Sequence, residues 1–161
     1  MMTNEDYMKI AIELAQRASQ SGEVPVGAIV VQAGTIIGRG FNSPISSTDP
    51  SAHAEVLAIR DAAKHIGNYR LVDCALYVTL EPCAMCAGAI QHARIAQLYF
   101  GAKDPKTGAC GSVLDLMGME KLNHHTEVQG GILADACGNL LSEFFAMRRN
   151  QLAQAKTNPT N

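Results

Sequence analysis

The sequence predicts an α/β protein, a three-layer α/β/α sandwich around one mixed five-stranded sheet. Three observations predict it. Two β-rich runs, Val26–Val31 and Thr35–Gly40, flank Ala33-Gly34, the pattern of an antiparallel hairpin. Strand, helix and strand succeed one another in about 25 residues from Ala75 to Phe100, a crossover that makes those two strands parallel. Stretches with helical periodicity precede, separate and follow the strands, so both sheet faces have a cover.

Each element has its own justification. Tyr7, Ile10, Ala11, Leu14, Ala15 and Ala18 recur at helix spacing, and Gly22 lies just beyond them as a stop. After the hairpin comes FNSPISSTDPS, a loop dense in Ser, Pro and Asx residues. A second helix is predicted from near Ser51 to Gly67, which sits where a C′ glycine would. ALYVTL, Ala75 to Leu80, is a short apolar strand. Pro82 suits the first helical position of a third helix, CAMCAGAIQHA. AQLYF, Ala96 to Phe100, is the next strand, and GAKDPKTGACGS after it is a turn-rich loop. A short strand is placed at Thr126 to Val128. The last helix spans about Leu133 to Gln154, with Leu133, Cys137, Leu140, Leu141 and Phe144 on one face. Residues 1–155 read as one domain and the polar residues 156–161 as a disordered tail.

Composition bounds the rest. A chain of 161 residues, 47% hydrophobic and 17% charged, can bury a core without staples. Its longest apolar run, Cys83 to Ile90, is too short to cross a membrane. The N-terminus, MMTNEDYMKI, is polar and acidic, unlike a secretory leader. Five cysteines, an odd number, point to thiols in a reducing compartment, the cytoplasm. Cys74, Cys110 and Cys137 read as small buried hydrophobes. A net charge of −2 gives, on the total alone, no sign of a nucleic-acid partner.

Two motifs carry chemistry: His53-Ala54-Glu55 and Pro82-Cys83-Ala84-Met85-Cys86, each at the start of a predicted helix. Cys83 and Cys86 are three apart and share a helix face, and side chains lean toward the helix N-terminus, so both thiols can converge ahead of it. One His and two Cys form a three-ligand set for one zinc ion, and an open fourth position marks a catalytic site. Two helix N-termini add positive potential at the same point. Glu55, not needed as a ligand, is the candidate catalytic proton carrier. A lone C-x-x-C could be a redox pair, and a lone H-x-E a solvated helix face; it is the combination that points to zinc.

The H-x-E and P-C-x-x-C pair resembles the zinc-dependent nucleoside and nucleobase deaminases. The flanking blocks EVPVGAIVV, GRGFN, DPSAHAE, NYRL, LYVTLEPCAMCAGAI, FGAKDPKTGACGS and GILADACGNLLSEFFAMRR look like the bacterial tRNA-specific adenosine deaminases, over roughly residues 5 to 150. The resemblance implies a cytidine deaminase-like sandwich, with zinc on His53, Cys83 and Cys86 and Glu55 as the catalytic proton shuttle. It implies conversion of adenosine to inosine at the wobble position of a tRNA anticodon. It implies that Asn42 contacts the base and that backbone groups near Ala54 and Cys83 complete the pocket. It also implies a homodimer, consistent with a helix from Cys83 to Ala93 that is apolar nearly all round. Cys110 and His125 depart from the pattern, standing where a small residue and a basic one are expected, and the loop from Met117 to Leu122 differs too.

The acidic total hides local clusters. Lys103, Asp104 and Lys106 lie in one loop, and Arg148 and Arg149 follow Phe144 and Phe145 near the chain end. Cations beside aromatics suit a splayed single-stranded loop of tRNA, and either Phe144 or Phe145 must point off the core. These residues, with Phe145 as the stacking candidate, form the expected RNA site. The alternatives are a deaminase of a free nucleobase or nucleotide, which needs no basic helix, and a non-enzymatic zinc-stabilised binding module. The module would need a fourth ligand, for which Cys74 and His92 are the nearest candidates in sequence. A bifunctional riboflavin-type deaminase is not expected, since the length leaves no room for a reductase domain.

Overall fold

In the structure, a computed structural model, residues 1–157 are described. The chain runs α1 (Asn4–Gln20), β1 (Gly27–Gln32), β2 (Thr35–Phe41), α2 (Ala54–Ile66), β3 (Cys74–Leu80), α3 (Ala84–His92), β4 (Gln97–Ala102), β5 (Glu127–Gln129) and α4 (Ala134–Thr157). The strands form one sheet in the order β2-β1-β3-β4-β5. β1 is antiparallel to β2 and β3, whereas β3, β4 and β5 run parallel. This is the mixed five-stranded α/β/α sandwich that the sequence predicts.

Successive strand residues point to opposite faces, and both faces are covered. Ala28, Val30, Leu76, Val78, Leu98 and Phe100 pack with Ala58 and Ala62 of α2 and Ala87 and Ile90 of α3. Ile29, Val31 and Tyr77 pack on the other side with Tyr7, Met8, Ala11 and Leu14 of α1 and Cys137 of α4. Thr3 starts α1 with a capping box, its hydroxyl accepting from the Asp6 N–H while the Asp6 carboxylate accepts from the Thr3 N–H. Gly67 ends α2 at φ 77°, the left-handed conformation expected of it. At Gly40 a Cβ would stand 2.4 Å from the Ala54 carbonyl oxygen, so the missing side chain is what lets the start of α2 lie on β2.

Three boundaries differ from expectation. α2 starts at Ala54, three residues after Ser51, because Asp49 first closes a turn that accepts from the Ser51 N–H at 2.9 Å and its hydroxyl at 2.7 Å. Pro82 lies ahead of α3 rather than at its first position, since Cys83 is the extended N-cap, at φ −75° and ψ 175°. α4 continues through Thr157, so Lys156 and Thr157 of the expected tail are helical, while residues 158–161 lie outside the described residues. Cys74, Cys110 and Cys137 are buried free thiols, as expected.

Candidate active site

β3 ends at Leu80, and Glu81 and Pro82 carry the chain from the carboxyl edge of the parallel strands to Cys83. Ligands of open α/β sheets bind at this edge. His53 is the N-cap of α2 and Cys83 the N-cap of α3, and neither side chain caps its own helix. Both are left free to turn toward each other. The His53 Nδ1 atom lies 3.6 Å from the Cys83 Sγ and 3.5 Å from the Cys86 Sγ, and the three donor atoms all fall within 4.8 Å of one another. Zinc in tetrahedral geometry, with Zn–N near 2.1 Å and Zn–S near 2.3 Å, sets its N and S ligands about 3.6 Å apart. The donor set fits zinc in spacing as well as in chemistry. Among the described residues no fourth His, Cys, Asp or Glu joins the group. Cys74 begins β3 at the far end of that strand, and His92 is exposed at the end of α3.

Glu55, in the first turn of α2, is 4% exposed and stands outside the donor set. Burial pushes its carboxyl above the usual carboxylate range. A carboxyl beside the donor set that is not itself a ligand is free to take up a proton and pass it to a neighbour. Hydrogen bonds from Cys86 and His53 bring the Cys83 thiol down to about 4. Cys86 is pushed up, by its hydrogen bond to Cys83 and by burial, because the pair shares one proton. The same contact with Cys83 raises His53. A dication held there would favour both sulfurs as thiolates.

Asn42, 9% exposed, follows β2, and its Oδ1 accepts the Ala54 N–H at 2.9 Å. Side chain and helix start are thereby tied together. Beside the metal-ligand turn opens a groove of about 620 Å³ whose walls include Leu80, Lys103, Lys106, Phe145 and Arg149. Phe144 is buried at 4% exposure while Phe145 is 45% exposed, so the pair divides between core and groove. Asp104 also lines the groove, but its carboxylate accepts from the Lys106 N–H and from the N–H and hydroxyl of Thr107, which engages it within its own turn. Arg148, expected in the RNA site, is half-buried, donates to the Gly22 carbonyl and lies 5.0 Å from the centre of the Phe144 ring, so it fastens α4 to the turn after α1.

Sequence reasoning missed two buried carboxylates that hold the loops around the site. Glu23 is 1% exposed and accepts from the Ile45 N–H, the Ser46 N–H and the Ser46 hydroxyl. Glu81 is 2% exposed and accepts from three backbone N–H groups of the loop after β4. A charged residue flanked by apolar ones, as in LEPC, is the only sequence signal of such a role.

The sequence profile of the cytidine and deoxycytidylate deaminase zinc-binding region matches residues 1–102, which include His53, Glu55, Cys83 and Cys86. The chain belongs to this zinc-dependent deaminase family. It is similar, at 53% identity over 92% of its length and 86% of the relative's, to a tRNA-specific adenosine deaminase of Haemophilus influenzae. Among solved structures, a chain from studies of A-to-I editing by tRNA:A34 deaminases at the wobble position superposes with a TM-score of 0.82. That chain is 41% identical, and the match covers 84% of this deaminase and 98% of it. A guanine deaminase from Bacillus subtilis is similar at 36% identity and a TM-score of 0.64, over 92% of this chain and 95% of that one.

Proposed function

We infer that this deaminase converts adenosine to inosine in tRNA, acting on the wobble position of the anticodon. The observation that carries the chemistry is a three-donor zinc set, one ligand short, with a buried carboxyl that is not a ligand beside it. Similarity to the tRNA-specific adenosine deaminase supports the substrate. His53, Cys83 and Cys86 would hold zinc, which when bound would lower the pKa of a water at the site to about 7. Glu55 takes the proton of the attacking water and delivers it to the base. Oxygen adds at C6 of adenine, the C6–N bond breaks, and the amino group leaves as ammonia, so adenosine and water become inosine and ammonia. With its Oδ1 accepting from the Ala54 N–H, Asn42 keeps its Nδ2 donor for a bound base.

The groove supports an RNA loop as the carrier of that base. Lys103, Lys106 and Arg149 can hold phosphates, and the exposed face of Phe145 can stack a splayed base. A base must leave its stack to be deaminated, which costs a few kcal/mol in a duplex and less in a loop. A second copy of the chain is the proposed partner on the opposite side. Ala84, Met85 and His92 of α3 are exposed, and between α2 and α3 runs a groove of about 300 Å³ lined by Val56, Ile59, Tyr69 and Ala89. Sedimentation at micromolar concentration checks this, with a dimer expected and a lone monomer contradicting it. Among the described residues no helix is long and apolar enough to cross a membrane. A tRNA substrate would support work in the cytoplasm.

The similarity to a guanine deaminase keeps one competing reading, action on a free base. A substrate panel separates the two. The enzyme should form inosine from an anticodon stem-loop and leave free adenosine, cytidine and guanine nearly untouched. Faster turnover of any free base or nucleoside would overturn the tRNA assignment.

A further inference from the structure

The geometry points to Glu81 as a positioning residue that ties the metal-ligand turn to the loop forming one wall of the RNA groove. The inference rests on the tRNA reading above. Glu81 lies between β3 and Cys83 and is 2% exposed. Its Oε1 accepts from the Asp104 N–H at 3.1 Å and from the Ser112 hydroxyl, and its Oε2 accepts from the Cys110 N–H and the Ser112 N–H, each at 3.1 Å. One carboxylate thus gathers both ends of a nine-residue stretch, 104–112. The next residue continues the tie, since the Pro82 carbonyl accepts the Ala109 N–H at 2.8 Å. The loop also comes so near that a Cβ on Gly108 would stand 2.3 Å from the Glu81 Oε2. Only a glycine fits there.

What this achieves follows from what the loop carries. Lys103 and Lys106 flank Asp104, and both line the groove with Phe145 and Arg149. Glu81 belongs neither to the donor set nor to the groove lining, but it holds the backbone of Asp104, which does line the groove. It fixes instead the distance between the place where the base reacts and the place where the backbone of the RNA is held. A loop of this length without such an anchor would sample many conformers, and each binding event would have to order it. The carboxylate does that ordering before substrate arrives. It also has to be a carboxylate. Glu81→Gln has the same shape, but its amide turns one acceptor into a donor that faces backbone N–H groups. The isosteric variant should therefore loosen the loop where a merely space-filling role would tolerate it.

The test is Glu81→Gln in the zinc-loaded enzyme, with three readouts. Hydrogen exchange of the Asp104, Cys110 and Ser112 amides should quicken at least tenfold, with β1 and β3 amides unchanged. KM for an anticodon stem-loop should rise about tenfold or more, while kcat stays within about threefold and zinc remains at one per chain. Ser112→Ala, which removes one donor and leaves the carboxylate, should raise KM by a smaller factor and serves if the first variant does not fold. Unchanged exchange and KM in either folded variant would overturn the proposal. Loss of zinc with a fall in kcat would overturn it too, assigning Glu81 to the metal site instead. A wild-type enzyme inactive on the stem-loop would fail the tRNA reading and not this one, because the exchange readout needs no substrate.

Discussion

Arg148 and Arg149 are neighbours with opposite work, and replacing each by alanine separates them. Arg148→Ala removes a charged donor from the Gly22 carbonyl, worth about 1.5–3 kcal/mol. It also removes the cation–π contact with Phe144, worth about 0.5–1 kcal/mol. Arg148 is half-buried, so water takes over part of the first contribution, and the net loss should be ~2–3 kcal/mol. At about 2–4 °C per kcal/mol for a domain of this size, Tm should fall by roughly 4–12 °C. Arg149 is exposed at the groove wall, so Arg149→Ala should stay within about 0.5 kcal/mol of wild type. Its effect should appear in binding instead, as weaker stem-loop affinity and a salt dependence shallower by about one phosphate contact. The assay is thermal unfolding by circular dichroism at fixed zinc, followed by a salt titration of stem-loop binding. Equal Tm values for the two variants would refute the anchoring role of Arg148.

Three further outcomes are expected. Glu55→Ala should keep one zinc per chain and lose at least ~10²-fold in deamination, measured by metal analysis and inosine formation; loss of zinc would show that Glu55 is a ligand. Removing zinc with a chelator, or replacing Cys83 or Cys86 by serine, should lower the unfolding temperature along with activity, since ligation and folding are linked; unchanged unfolding would contradict the metal site. Glu23 should shape acid stability. Burial raises its pKa, but hydrogen bonds from Ser46 and Ile45 outweigh this and hold it below the usual carboxylate value of 4.5. A depressed folded value means the stabilisation is complete above the unfolded pKa and is lost as pH falls through the folded one. Wild type should thus lose its stability advantage over Glu23→Gln below about pH 4.5. Because both proteins carry the same metal site, a pH-independent gap in Tm between them would dismiss the role.

Much of the fold was legible because its signals are local. The Ala33-Gly34 turn marks the hairpin, and the burial of β1 and β3 on both faces shows as apolar runs. The metal set was legible for the same reason. Two short motifs supply all three donors, and only their meeting across α2 and α3 is tertiary. What was not legible depends on backbone partners. Arg148 meets a carbonyl 126 positions away, and a main-chain oxygen carries no sequence mark. Glu81 and Glu23 accept from backbone N–H groups, which every non-proline residue possesses. Pro82 misled for a related reason. Its carbonyl is engaged by Ala109, and the helix waits two residues until Cys83 has turned its sulfur toward His53.

The central claim is that one His-Cys-Cys centre, with Glu55 beside it, deaminates an adenine presented by an RNA loop. Base-resolved detection of inosine tests it most directly. A stem-loop carrying adenosines at the wobble position, elsewhere in the loop and in the paired stem should gain inosine at the wobble position alone, with one ammonia released per inosine. Inosine spread over the loop and stem, or none at the wobble position with zinc-loaded wild-type enzyme, would contradict the account.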